Sequence, residues 1–168
     1  MPSLIKDGAV ASDDWRVLEK PEEGQAAAVA VPDQRVIVPL AVWQAQREPL
    51  QARRQTLGVW LGPEDSADQL GAEAGEFELL AVYFPTFMDG RGFSTARLLR
   101  ERYAFNGELR AIGHFIRDQL CYMRRCGFNA FSFAEPIDLQ AALASLDDFT
   151  EYYQAGTDQP LPLFRRRA

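Results

Sequence analysis

The residues best suited to chemistry lie in Asp89-Gly90-Arg91-Gly92-Phe93-Ser94. Two glycines permit a tight turn, and Ser94 suits the cap of a following helix. A loop of this kind between a strand and a helix points backbone N–H groups and the positive end of the helix dipole at an anion. His114, Arg117 and Asp118 form a second cluster further along the chain. Arginine's planar fork suits carboxylate, phosphate and sulfur oxyanions, and an imidazole can pass a proton near neutral pH. Asp89 and Asp118 read either as an acid–base pair or as carboxylates that orient the arginines. The pattern predicts one anion pocket contacted by Arg91, Arg117 and the backbone near Gly92 and Ser94. Asp89 and Asp118 would hold the guanidinium groups, with His114 at the rim. Arg97, Arg100, Arg124 and Arg125 read as solvated charges on helix faces.

Other chemistry is thinly represented. Gly90 to Thr95 begins like a dinucleotide-binding fingerprint, but Thr95 stands where the third glycine belongs and His114 near the ribose-binding acid. The chain has no Walker motif, nucleophile elbow or H-E-x-x-H metal motif, and no nucleophile stands out. No metal ligand set is expected, and the sequence names no cofactor. Cys121 and Cys126 are five residues apart in a helical pattern, about 140° apart around its axis, too divergent for a bridge. They read as small buried hydrophobes and predict a reducing, cytoplasmic setting.

Charge narrows the partners. The 168 residues carry a net charge of −6, which argues against binding a nucleic-acid polymer. From Asp89 to Arg125 eight arginines meet four acids, a local +4 that leaves −10 for the remainder. No apolar run approaches the ~20 residues of a membrane helix, and Met1 to Val10 lacks the apolar core of a secretory signal.

These residues need a frame to hold them. Leu4-Ile5-Lys6 and Ala9-Val10-Ala11 flank an Asp-Gly turn and predict a hairpin. Five strands are expected at 35–38, 58–61, 79–84, 109–112 and 130–133, each followed by a helical stretch. Pro49 must kink the first of these or open a second helix. Ser66 caps the next stretch, Gly127 ends the fourth and Asp138 begins the fifth. The series predicts a single α/β domain whose mostly parallel sheet is open or half-barrel-like. Residues 1–30 are expected to pack on the domain as a hairpin and loop, 31–154 to form it, and 155–168 to make a flexible tail. Functional residues then gather beyond the strands' C-terminal ends.

Two longer strings add to this reading. One is Phe84-Pro85-Thr86-Phe87-Met88-Asp89-Gly90-Arg91-Gly92-Phe93-Ser94-Thr95-Ala96-Arg97-Leu98-Leu99-Arg100-Glu101-Arg102-Tyr103. The other is Gly107-Glu108-Leu109-Arg110-Ala111-Ile112-Gly113, continuing through Arg117-Asp118-Gln119-Leu120 to Met123-Arg124-Arg125-Cys126-Gly127-Phe128. Together they resemble a bacterial family, domain of unknown function 934, described as an oxidoreductase involved in sulfite reduction. The resemblance spans residues 4–154 and is densest over 84–133. It implies a place in assimilatory sulfur metabolism beside a sulfite or nitrite reductase haemoprotein. Reducing sulfite needs a metal-rich centre, and a [4Fe–4S] cluster takes four thiolates. With two cysteines the chain is not expected to be that catalytic subunit. Three roles follow: an accessory protein that binds the reductase or an anionic ligand, a nicotinamide- or flavin-dependent oxidoreductase, or an anion- or nucleotide-binding module without redox function.

Overall fold

The structure, a computed structural model, describes residues 2–166; Met1 and the last two residues of the expected tail lie outside the described residues. β1 (Ser3–Lys6) and β2 (Ala9–Ser12) form the expected hairpin. Its turn residues Asp7 and Gly8 have φ of 50° and 75°, the positive values that a two-residue turn matched to strand twist requires. β3 (Arg16–Val17) was not foreseen, being two residues long and polar at its start. β4 (Val36–Pro39) leads into α1 (Leu40–Ala45) and α2 (Arg47–Leu50). Pro49 sits in the first turn of α2, where its missing N–H leaves no bond unmade.

β5 (Leu57–Leu61) and β6 (Leu79–Phe84) are joined by 3₁₀ turns at 67–69 and 71–76, not by an α-helix. Ser66 caps the first turn as expected: Asp68 N–H donates to its hydroxyl, and its own N–H donates to Gln69 at 2.7 Å. The remaining elements are α3 (Arg91–Glu101), β7 (Glu108–Gly113), α4 (Leu120–Cys126), β8 (Ala130–Phe133), α5 (Leu139–Ala144) and α6 (Leu163–Arg166). All five expected strands form, with ends within one residue of those read from sequence.

The eight strands lie in the order β2-β1-β8-β7-β6-β5-β4-β3 in one open, curled sheet. Pairing is parallel from β3 through β8, and antiparallel where β1 meets β8 and β2. The hairpin therefore extends the sheet itself. The curl follows from chain length. A flat eight-stranded sheet would separate its edges by about 34 Å, from seven spacings of ~4.8 Å. Yet the edge strands β2 and β3 are linked only by Asp13-Asp14-Trp15, which reach about 14 Å at most.

Strand alternation divides two cores. Val38, Val59, Leu61, Leu80, Val82, Leu109 and Ala111 join the convex core with Trp43, Ala96, Leu99, Leu120 and Met123 from the helices. Ile37, Trp60, Leu79, Ala81 and Ile112 face the concave side, where Trp15 from the linker covers them. On the same side of β7, Glu108 and Arg110 form a buried ionic group. Arg110 Nη1 donates to both Asp13 oxygens at 2.9 Å, and Nε to Glu108 at 2.7 Å. Lys6 Nζ lies 2.7 Å from the other Glu108 oxygen. Two cations and two carboxylates thus neutralise one another, three of them inside the curl and Lys6 reaching in from a partly exposed position.

Arg125 is not a solvated charge, its side chain lying 11% exposed between Asp158 and the Tyr152 ring, and Arg100 also departs from expectation. It is half-buried and not a solvated charge, donating to the carbonyls of Gly127, Phe105 and Gly107 and to Asn129 at 2.7–3.2 Å. Burial pulls its pKa down. The segment from 155, expected as a tail, lies against α4: Thr157 donates through both N–H and hydroxyl to Arg125 O.

Removing one partner of a buried ion group strands the others in low dielectric, at a cost of about 3–5 kcal/mol. Arg110→Met is expected to lower urea-unfolding stability by that amount, because the Asp13 and Glu108 side chains are only 8% and 6% exposed. A loss below about 1 kcal/mol would mean the group contributes little.

Candidate functional site

β6, β7 and β8 are parallel neighbours, so the loops after them meet at one edge. Backbone bonds stitch these loops together: His114 N–H donates to Phe84 O at 2.8 Å and Ala134 N–H to Gly113 O at 3.0 Å. Gly113 has φ of 102°, and a Cβ there would collide with Phe84 O. Only glycine fits that bend. Gln119 ties the first two loops, donating to Phe87 O at 2.8 Å and accepting from Ile116 N–H at 3.2 Å.

Between the loops lies a cleft of about 500 Å³, within the range of ligand pockets. Phe115 and Phe133 line it, with ring centroids 4.4 Å apart. Phe87, Ile116 and Ile137 add apolar surface, and His114, Arg117, Glu135 and Asp138 supply the polar groups. Asp138 is committed to capping α5, accepting from Gln140 N–H at 2.9 Å and Ala141 N–H at 3.1 Å. His114 and Glu135 are exposed. Arg117 has a loose partner, Asp118, at 3.9 Å. An apolar trough with an exposed guanidinium and imidazole can seat a hydrophobic side chain or ring next to an acidic group.

The sequence-derived pocket is divided by the structure. Arg117 and His114 line this cleft, while Arg91, Gly92 and Ser94 do not. Arg91 is gripped from the other direction: Nε and Nη2 donate to the two Asp89 oxygens at 3.0 and 2.8 Å, and Nη1 donates to Glu64 at 2.8 Å. Asp89 also accepts from the Arg91 N–H at 3.2 Å, so the chain's own carboxylate occupies the start of α3. Gly90, not Ser94, is the N-cap, and Ser94 is an exposed residue inside the helix. Gly92 is buried beneath the Phe84 ring, which an added Cβ would approach to 2.6 Å. It serves helix–strand packing.

Sequence reasoning missed Glu64, whose loop after β5 is remote in sequence. It also passed over Phe87, Met88 and Ile137, although apolar residues in polar loops were the available signal, and Ile116, whose helical spacing with Leu120 and Met123 predicts burial, is instead exposed. Among the described residues no group of three or more His, Cys, Asp or Glu is placed to hold a metal ion, and no helix is long and apolar enough to cross a membrane. Both cysteines are buried and unbridged, and burial raises the Cys126 pKa.

The Arg91 side chain, then its N–H, holds the Asp89 carboxyl below its ordinary pKa, while Asp89 and then Glu64 raise that of Arg91. A depressed carboxyl pKa stabilises the fold above the ordinary aspartate value, and this contribution is lost as pH falls through the depressed one. An NMR carboxyl titration should therefore place the Asp89 midpoint below that of an ordinary aspartate, and Arg91→Ala should return it upward. An unmoved midpoint in the variant would show that Arg91 is not the cause.

No curated protein and no solved structure matches the chain. A family model described as "Bacterial protein of unknown function (DUF934)" matches residues 58–164. That span runs from β5 into α6 and includes every loop that lines the cleft. The chain belongs to the DUF934 family.

Proposed function

We propose that the protein is an accessory component of assimilatory sulfite reduction that docks on the reductase haemoprotein through the edge around the Phe115–Phe133 cleft. The observation that carries the docking mode is the apolar rim. Phe87 is 50% exposed, Met88 78%, Ile116 43% and Ile137 39%. Large apolar side chains left in water around one cleft mark an interaction site more often than they serve a monomer. The loops of Phe87, Met88 and Ile116 fall within the sequence strings, and that of Ile137 within the wider span, that resemble a family described in terms of sulfite reduction, and that resemblance supports the metabolic setting.

The rim supplies the apolar centre of an interface, and Arg117 supplies an exposed guanidinium at its border suited to an acidic side chain on the partner. A small oxyanion at Arg117 is the second reading, supported by the 3.9 Å separation that leaves its guanidinium loosely paired.

Two measurements test the proposal. A deletion strain should grow poorly on sulfate and recover on cysteine; normal growth on sulfate would contradict the metabolic assignment. Purified protein should bind the reductase haemoprotein in calorimetry. Ile116→Asp, which puts a charge on an exposed rim position, should weaken binding about tenfold or more while leaving the melting temperature near that of the parent. Undiminished binding by Ile116→Asp would contradict the docking surface. Saturable sulfite or sulfate binding that Arg117→Ala abolishes, without reductase binding, would favour the second reading.

A further inference from the structure

A second cavity lies at the mouth of the curled sheet and shares no lining residue with the cleft. Its volume is about 510 Å³. Trp60, Tyr83 and Ile112 wall it from the C-terminal ends of β5, β6 and β7, on the concave side. Gly62 and Pro63 follow β5, and Val17 to Lys20, the chain leaving β3, closes the other side.

The aromatic walls are fixed before any ligand arrives. Trp60 Nε1 donates to Leu18 O at 2.9 Å, so the indole, 5% exposed, lines the cavity without a free N–H. Tyr83 lies 5.4 Å from Trp60, tilted at 54°. Its ring edge occupies space that a Cβ at residue 113 would enter, 2.9 Å away. At the rim, Glu19 and Lys20 are both exposed. Neither forms an ion pair among the described residues, although most arginines do.

We propose that this cavity binds a mononucleotide. The flat base lies against Trp60 and Tyr83, Glu19 accepts from the ribose hydroxyls, and Lys20 takes the phosphate. Each group matches one part of such a ligand: aromatic faces stack on a heterocyclic base, a carboxylate receives sugar hydroxyls, and an ammonium meets a phosphate as a point charge. The volume lies within the range of small-molecule pockets. Strand C-terminal ends at the mouth of a curled parallel sheet are where such pockets collect.

The test uses the full chain with flavin mononucleotide, followed by quenching of its own fluorescence, and with adenosine monophosphate in calorimetry. At least one should bind saturably with a Kd below about 100 µM, and the matching nucleoside should bind more weakly. Lys20→Ala alters an exposed side chain. It should weaken the nucleotide about tenfold and leave the affinity for the nucleoside, riboflavin or adenosine, unchanged. Tyr83→Ala should weaken nucleotide and nucleoside alike, whereas Arg97→Ala, on an exposed face of α3, should alter neither. The proposal is overturned if neither nucleotide saturates below about 1 mM, or if Lys20→Ala binds both as the parent does. It is equally overturned if inorganic phosphate binds as tightly as the nucleotides. Loss of reductase docking leaves this site untouched, so the two proposals fail separately.

Discussion

Three residues, Asp13 to Trp15, must carry the chain from one edge of an eight-stranded sheet to the other. That reach is less than half the width of the flat sheet, so the strands have to curl. Curling creates an interior that must be filled, and the linker supplies two of the fillers. Trp15 covers Ile37, Trp60, Leu79, Ala81 and Ile112, while Asp13 meets Arg110 from the middle of the sheet. A guanidinium inside a protein interior is tolerable only when opposing charges are held close. Asp13 and Glu108 provide them, and Lys6 balances Glu108 from the adjoining hairpin. The ionic group thereby ties together the linker, β7 and β1.

The functional surfaces depend on this curl. Because β4 to β8 follow one another in both sequence and space, right-handed crossovers place their helices on one convex face. The strands' C-terminal ends then converge. The loops after β6, β7 and β8 form the apolar cleft outside, and the side chains of Trp60, Tyr83 and Ile112 form the cavity within. Gly113 stands between the two. Its missing Cβ allows the loops to approach at Phe84 O and also makes room for the Tyr83 ring.

Local features of the fold were legible because local rules govern them. The apolar run at 79–84, the Asp7-Gly8 turn, the Ser66 cap and Gly127, whose φ is 115°, each carry their cause in neighbouring residues. The destination of a charge did not. Arg110 in a strand reads like any alternating polar residue, and nothing near it announces Asp13, ninety-seven positions away. Arg100 faces a set of carbonyls that exists only once α3, α4 and the turn at 105–107 are packed. The glycines and helix start around Arg91 suit an external anion, so its sequence alone points outward. Asp89 was close enough in sequence to be named as its support, but Glu64 arrives only through the adjacency of β5 and β6. Strand order puts the loop of His114 and Arg117 beyond β7, where both line the cleft, whereas no local motif announces the apolar rim beside them.

Asp13 and Arg110 act together to pin the linker onto the inner face of the curled sheet. A double-mutant cycle on urea-unfolding stability, with Asp13→Ala, Arg110→Ala and the combined variant, measures that directly. Residues sharing one buried ionic contact should couple strongly, with an expected interaction of about 2 kcal/mol or more. Losses that add to within about 0.5 kcal/mol would show the two residues acting independently. The linker would then be held on the inner face by the Trp15 core alone.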